Sequence, residues 1–325
     1  MSFVLVRWLG LLGLTLYQAI ACWQEDRQPM PGQKVDVGGY SLHYVVAGSG
    51  SPTIVLDHSL GGIEGYFLIE RLAKLSRVVI YDRAGYGWSD RRPRPRTSQH
   101  IVDELATLLV AANIEPPYIL LGDSFGSYNT RLYAHGYPQK VVGLILVDGL
   151  HETGMLKMPI VLRSLQLFFA SGFVMSVLGA LLGIIRLLQK IGMFEVLKPG
   201  LRQFSRRARR AVKRSFSRPK HWVTMAQEIS GLDKSGQQMQ RADNLGDLPI
   251  VTIQAKSFFL PSFFTLLMPL QAANRLRASM HDELAKLSTH HTQIKADQSG
   301  HFVWIDQPEM IVRAVQALLP REHDS

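Results

Sequence analysis

The chemistry of this 325-residue sequence concentrates in one pentapeptide, Gly122-Asp123-Ser124-Phe125-Gly126. The apolar residues 116–121 before it read as a buried strand, and residues 127–134 after it read as a helix. Glycines on both sides of a single serine allow a tight strand-to-helix turn that lifts the hydroxyl clear of a sheet. The free N–H groups at the start of the following helix then face any oxygen that becomes negative there. A serine hydroxyl is a poor nucleophile until a base takes its proton, and histidine suits that task near neutral pH. The histidine needs an acid to fix its tautomer, and the tetrahedral intermediate needs main-chain donors for its oxyanion. Such chemistry requires no metal and no cofactor, and none is expected. The lone cysteine, Cys22, excludes an internal disulfide or a cysteine-based metal site within this sequence.

The elements that must position this serine follow from the pattern around it. Residues 34–37 and 40–46 flank Gly38-Gly39 and predict a β-hairpin. Strands are then expected at 53–56, 78–81, 116–121 and 141–147, with helices over 63–75, 98–112 and 127–134 between them. This alternation predicts a mostly parallel sheet with helices on both faces. At Leu150 it stops, and the sheet resumes only at residues 248–254. A helix at 272–287, a strand at 292–296 and a last helix at 308–319 complete the chain. The expected division is a hydrophobic N-terminal segment with linker (1–28), a first core part (29–149), a helical insertion after the sixth strand (150–247) and a second core part (248–325). The insertion is expected to form a lid over the carboxyl edge of the sheet, where open α/β sheets bind ligands.

Four motifs in this order resemble the α/β-hydrolase superfamily, and the likeness covers residues 34–319. Gly122-Asp123-Ser124-Phe125-Gly126 is similar to the nucleophile elbow. Asp57-His58-Ser59-Leu60-Gly61-Gly62, after the third strand, resembles the His-Gly oxyanion segment. Asp82-Arg83-Ala84-Gly85-Tyr86-Gly87-Trp88-Ser89-Asp90 is similar to the D-R-x-G-x-G-x-S loop of the lidded members. Ser299-Gly300-His301-Phe302, with Asp306-Gln307-Pro308-Glu309 behind it, resembles the catalytic-histidine loop. The resemblance implies Ser124 as nucleophile and His301 as base. It implies an oxyanion hole from the N–H of Phe125 and that of Leu60 or Ser59, the family usually having glycine where Ser59 stands. The acid most often follows the strand at 250–254, but residues 255–261 hold no carboxylate. Some lidded members take it from the end of the strand after the nucleophile helix, where this chain has Asp148; the order Ser, Asp, His is then kept. Asp282 is the rival, read as an exposed helix-start residue, and Asp123 is expected to point away from the site. Serine at the nucleophile position disfavours epoxide opening and dehalogenation through an alkyl-enzyme ester. What the likeness implies is a carboxylesterase or lipase-like serine hydrolase. An acyltransferase, or a non-catalytic binding protein of the same fold, is the alternative.

Two further features bear on the substrate. Between residues 3 and 23 the only charge is Arg7, which suits a signal-peptide core or a single crossing of the ~30 Å hydrocarbon layer. Ala19-Ile20-Ala21 before Cys22 resembles a cleavage site of the signal or lipoprotein kind. Membrane association through this segment is expected, as a single-pass anchor or as a lipoprotein or secreted protein after cleavage. Arg7 before the span and Glu25-Asp26 after it favour a catalytic part outside the cytoplasm, and that side is expected. Residues 158–188 are very apolar, and Gly172, Gly179 and Gly183 predict two shorter helices that line an acyl pocket and touch lipid. The loop at 258–264, Phe258-Phe259-Leu260-Pro261-Ser262-Phe263-Phe264, is a second greasy stretch at the same rim. The net charge of +10 is local: residues 198–220 hold ten Lys and Arg and no Asp or Glu. Within them, Leu201, Phe204, Ala208 and Val212 fall at helical spacing and predict a basic amphipathic helix that attracts anionic headgroups. Nucleic acid is not an expected partner, because no recognition motif or aromatic platform accompanies the charge. Residues 91–96, Arg91-Arg92-Pro93-Arg94-Pro95-Arg96, predict an exposed stiff turn. A lipophilic acyl substrate delivered from a membrane suits the whole.

Overall fold

A computed structural model describes residues 3–92, 95–260, 265 and 268–320, with side chains from residue 7 onwards. Eight strands build one sheet: β1 (Gln33–Asp36), β2 (Ser41–Ala47), β3 (Thr53–Asp57), β4 (Val78–Asp82), β5 (Tyr118–Asp123), β6 (Val141–Val147), β7 (Ile250–Ala255) and β8 (His291–Ala296). Their order is β1-β2-β4-β3-β5-β6-β7-β8. The β1–β2 and β2–β4 pairs are antiparallel and every other pair is parallel. Strands β3, β4 and β5 are buried at every position, as strands covered on both faces must be. One face packs Val55, Leu105, Leu120 and Leu132; the other packs Ile54, Ile80, Ile145 and Ile311.

The helices α1 (Phe3–Asp26), α2 (Gly65–Leu72), α3 (Ser98–Ala111) and α4 (Gly126–Gly136) precede β6. Between β6 and β7 lie α5 (Glu152–Leu156), α6 (Ile160–Leu181), α7 (Ile184–Lys190), α8 (Met193–Leu197), α9 (Arg206–Phe216), α10 (Pro219–Ser230) and α11 (Leu232–Met239). The remaining helices are α12 (Leu270–Leu284), α13 (Val303–Asp306) and α14 (Pro308–Leu318).

Three expectations change. Gly172 and Gly179 do not divide the apolar stretch, and α6 runs through both until Gly183, at φ +69°, ends it. An interior glycine costs only about 1 kcal/mol relative to alanine. Packing of α6 along α10, with the Phe173 and Trp222 rings 6.2 Å apart, outweighs that cost. The opposite face of α6 is open, and Leu167 is 70% exposed. Among the described residues α6 is the one helix long and apolar enough to cross a membrane, and it is internal rather than N-terminal.

The second change is at the N-terminus, where α1 continues to Asp26, into the expected linker. Its end is held by two cations of the basic run and by one from α7. Arg218 bonds Glu25 and Asp26, Arg214 donates to Asp26 at 2.7 Å, and Arg186 of α7 pairs with Glu25. Gln18 is buried beside them and donates to the Ser217 carbonyl at 2.7 Å. Arg209 and Lys213 pair with Glu195, so the outward charge of α9 reduces to Arg206, Arg207 and Arg210, while Ala208 and Val212 face the core.

Third, the arginine-rich turn is not simply exposed. Arg96 is buried and donates to Glu104 at 2.7 Å, with Arg92 on the same oxygen at 3.0 Å. Pro93 and Arg94, and Pro261 to Phe264 of the greasy loop, lie outside the described residues.

Candidate active site

The glycines of the elbow are dictated by contact. A Cβ on Gly122 would stand 2.3 Å from Thr130 Oγ1, and one on Gly126 would stand 2.4 Å from the Asp57 carbonyl oxygen. Between them Ser124 has φ +51°, and its N–H donates to the Val147 carbonyl at 2.9 Å. A serine in this left-handed region is strained by roughly 1–3 kcal/mol, which persists only where surrounding structure enforces it. The hydroxyl therefore stands at the carboxyl end of β5, beside the ends of β3 and β6.

His301 lies in the loop between β8 and α13, where its N–H donates to the Phe258 carbonyl at 3.1 Å. Its Nε2 is 2.9 Å from Ser124 Oγ, and its Nδ1 contacts Asp148 Oδ2. Asp148 directly follows β6 at φ +46°, with its N–H donating to the Ile253 carbonyl at 2.7 Å. The other carboxylate oxygen accepts the Ala255 N–H at 3.2 Å, contacts Arg277 and lies 3.4 Å from His281 Nε2. The structure thus brings residues 124, 148 and 301 into one hydrogen-bonded line. Asp282 stays out of it, on the exposed side of α12 two residues before its C-terminal end rather than at its start. Burial, then the charge of Arg277, push the His301 imidazole below its ordinary range; the charge of Glu64 opposes them. The resting ring is neutral and can accept a proton.

The oxyanion segment separates its two candidate amides. The Ser59 N–H donates to Glu64, whereas among the described residues the Leu60 and Phe125 amides donate to no other group. Leu60 and Phe125 are the pair left free for an oxyanion. Arg83 holds this loop from behind, donating to the His58 and Ser59 carbonyls at 2.6 and 2.7 Å. The same guanidinium bonds Asp57 at 2.7 Å and, on α10, Glu228 at 2.8 Å. Gly85, in the loop after β4 that carries Arg83, permits the close approach of α10, since a Cβ there would meet Thr224 Oγ1 at 1.9 Å.

Sequence reading missed Glu64, Glu228, Arg277 and His281. Only the last two carried a signal, four residues apart on one predicted helix and so on one face. Glu64 and Glu228 reach the site through loop and interhelix geometry that no local pattern encodes.

These features can be set against known proteins. A family model described as the alpha/beta hydrolase fold matches residues 52–308. The 1-acylglycerol-3-phosphate O-acyltransferase of Arabidopsis thaliana is 36% identical over 108 residues, 31% of this chain and 26% of that protein. An uncharacterized vacuolar membrane protein of Saccharomyces cerevisiae is 31% identical over 114 residues, 33% of this chain and 17% of its own length. The chain matches only between 17% and 26% of the length of these two relatives, and a fifth of a Hormonema carpetanum protein 31% identical to it. Among solved structures, the epoxide hydrolase CorEH has a TM-score of 0.65 at 16% identity, over 88% of this chain and 97% of that one. The enol-lactonase of Burkholderia xenovorans LB400 has a TM-score of 0.59 at 17% identity, over 88% and 99%. Sheet order, elbow and family match agree: the chain belongs to the α/β-hydrolase fold family.

Proposed function

We propose that this protein is a serine hydrolase that cleaves a carboxylic ester of a lipophilic substrate through an acyl-enzyme. The observation that carries the reading is the 2.9 Å approach of His301 Nε2 to Ser124 Oγ, with the Asp148 carboxylate on the opposite ring nitrogen. His301 takes the hydroxyl proton as Ser124 Oγ bonds to the acyl carbon, and the carbonyl oxygen becomes the oxyanion facing the Leu60 and Phe125 amides. Collapse breaks the ester C–O bond, and the imidazolium returns its proton to the leaving alcohol. Water repeats the sequence on the acyl-enzyme, releasing the acid and restoring Ser124. The imidazolium is stabilised by Asp148, which stays ionised throughout.

Ser124 is only 6% exposed, so the helical segment between β6 and β7 acts as a lid that must shift to admit substrate. The apolar outer face of α6 and the exposed Trp8, Leu12 and Leu16 of α1 support a lid that lies against a lipid surface. The Phe169–Phe259 ring contact, with centroids 6.4 Å apart, links α6 to the loop beside His301 and favours a long acyl chain there. The named activity of the Arabidopsis relative supports a second reading, acyl transfer to an alcohol on the same acyl-enzyme.

A fluorophosphonate probe is expected to label the detergent-solubilised full chain at Ser124 and to leave Ser124→Ala unlabelled. A p-nitrophenyl ester series is expected to show kcat/KM rising with acyl length. An unlabelled wild-type protein that turns over no ester in the series overturns the hydrolase reading. Ester product that replaces free acid when alcohol is added favours the acyltransferase. Flotation with anionic vesicles tests the lipid surface, and protein left at the bottom of the gradient refutes it.

A further inference from the structure

A cavity of about 680 Å³ lies where the end of α1, the start of β1, the loop after β4 and the start of α10 meet, and none of the triad residues lines it. Its volume is that of a small-molecule site. Five cations line it: Lys34, Arg91, Arg214, Arg218 and Lys220. Among the described residues only two carboxylates do, Asp26 and Asp90, and both are already taken. Asp26 accepts from Arg214 at 2.7 Å and from Arg218 at 2.9 Å. Asp90 accepts from Lys34 and from the Ser41 N–H, each at 2.9 Å. Lys220 and Arg91 are left over. Lys220 donates to the Ser89 carbonyl at 2.7 Å and pairs with no carboxylate among the described residues; neither does the exposed Arg91. Burial pushes the Lys220 ammonium down to about 8; the charge of Asp82 opposes this, and those of Arg214, Lys34 and Arg218 add to it. A cation held in this way is stabilised by an anion that enters the cavity. Pro219 and Lys220 line it from the start of α10, so the positive end of a 12-residue helix adds to the attraction.

The surface that leads to the cavity is apolar. Cys22 of α1 and Leu181 of α6 also line it, and α1 packs on α6. Leu12, Leu16 and Ile20 are exposed at helical spacing along α1, and Val174, Leu178 and Leu181 along α6. Both rows run towards the cavity. A soluble anion would meet the cations and leave these rows bare, whereas an amphiphile with an anionic head and alkyl chains covers both. We propose that the cavity is a headgroup site for an anionic phospholipid that ends in a phosphomonoester, its chains lying along the exposed faces of α1 and α6. A phosphomonoester carries about 1.5 to 2 negative charges at pH 7, which matches the two cations left over. This rests on the lipid-surface part of the reading above and not on ester cleavage.

The test is a calorimetric titration of the detergent-solubilised full chain with a short-chain, ether-linked phosphatidic acid, which offers no carboxylic ester to cleave. Ether-linked phosphatidylcholine of the same chain length and inorganic phosphate are the comparisons. Phosphatidic acid is expected to bind at least about tenfold more tightly than either. Lys220→Gln and Arg91→Gln are each expected to weaken it by about tenfold, as loss of one charge-assisted hydrogen bond does. Equal affinity in wild type and Lys220→Gln puts the lipid elsewhere and overturns the site; if that variant does not fold, Arg91→Gln, at an exposed position, decides in the same way. Inorganic phosphate that binds as tightly as the lipid makes the ligand a soluble anion, and phosphatidylcholine that binds as tightly removes the need for a phosphomonoester; either result overturns the proposal. A chain that floats with anionic vesicles but does not bind phosphatidic acid in the titration overturns the headgroup site alone. A chain that does not float overturns the lipid surface, and the site with it.

Discussion

Replacing Asp148 by asparagine tests the proposed mechanism most directly, because the surroundings dictate how the new amide must sit. One oxygen of Asp148 accepts the Ala255 N–H and faces Arg277 and His281; the other meets His301 Nδ1. In Asp148→Asn the amide oxygen must stay on the first side, since an NH₂ group there would face two donors. The NH₂ therefore points at His301 Nδ1 and can only donate to it. The ring is forced into the tautomer with its proton on Nε2, the atom that lies 2.9 Å from Ser124 Oγ. That nitrogen can then no longer take the serine proton. A wrong tautomer of this kind costs about 10⁴ in kcat, which is about 5.4 kcal/mol at 1.36 kcal/mol per decade. The oxygen acceptor for Ala255 and Arg277 is retained, so the fold should survive. The assay is kcat on a p-nitrophenyl ester, with folded protein verified by a cooperative melt. A folded Asp148→Asn within tenfold of wild type refutes the tautomer argument and takes the acid's role away from Asp148.

Two further outcomes follow from the buried charges. Arg83→Met leaves Asp57 and Glu228 without their cation, and breaking buried pairs of this kind costs about 3–5 kcal/mol; a urea midpoint equal to wild type would show the pairs to be dispensable. His151, His221 and His281 are pushed down to about 4, 3 and 3, chiefly by burial, so the folded chain holds them neutral while the unfolded chain protonates near 6.5. Their contribution is full above about pH 6.5 and is lost as pH falls towards the folded values, by up to about 1.4 kcal/mol per pH unit for each histidine. Urea unfolding at pH 7 and pH 5.5 measures this loss, and equal midpoints would contradict it.

Local sequence settles whatever depends on neighbours along the chain. The elbow is legible because two glycines and a strand–helix setting act within a few residues of Ser124, and the alternation of strands and helices up to β6 is legible because strands covered on both faces are short continuous apolar runs. Residues 299–309 mark His301 for the same reason. What no local pattern holds is convergence. Asp148 and Asp282 are both aspartates near an element's end. The one that reaches His301 is decided by sheet order, which sets β6 between the elbow and β7. The choice of Leu60 over Ser59 for the free amide rests on the Glu64 carboxylate, whose place is fixed by how α2 packs. The basic run shows the same limit. Composition reads as an outward charged face, yet Arg214 and Arg218 turn to meet Glu25 and Asp26 nearly two hundred residues away. Charge is a property of the residue, but whether it meets solvent, lipid or a carboxylate is a property of the fold.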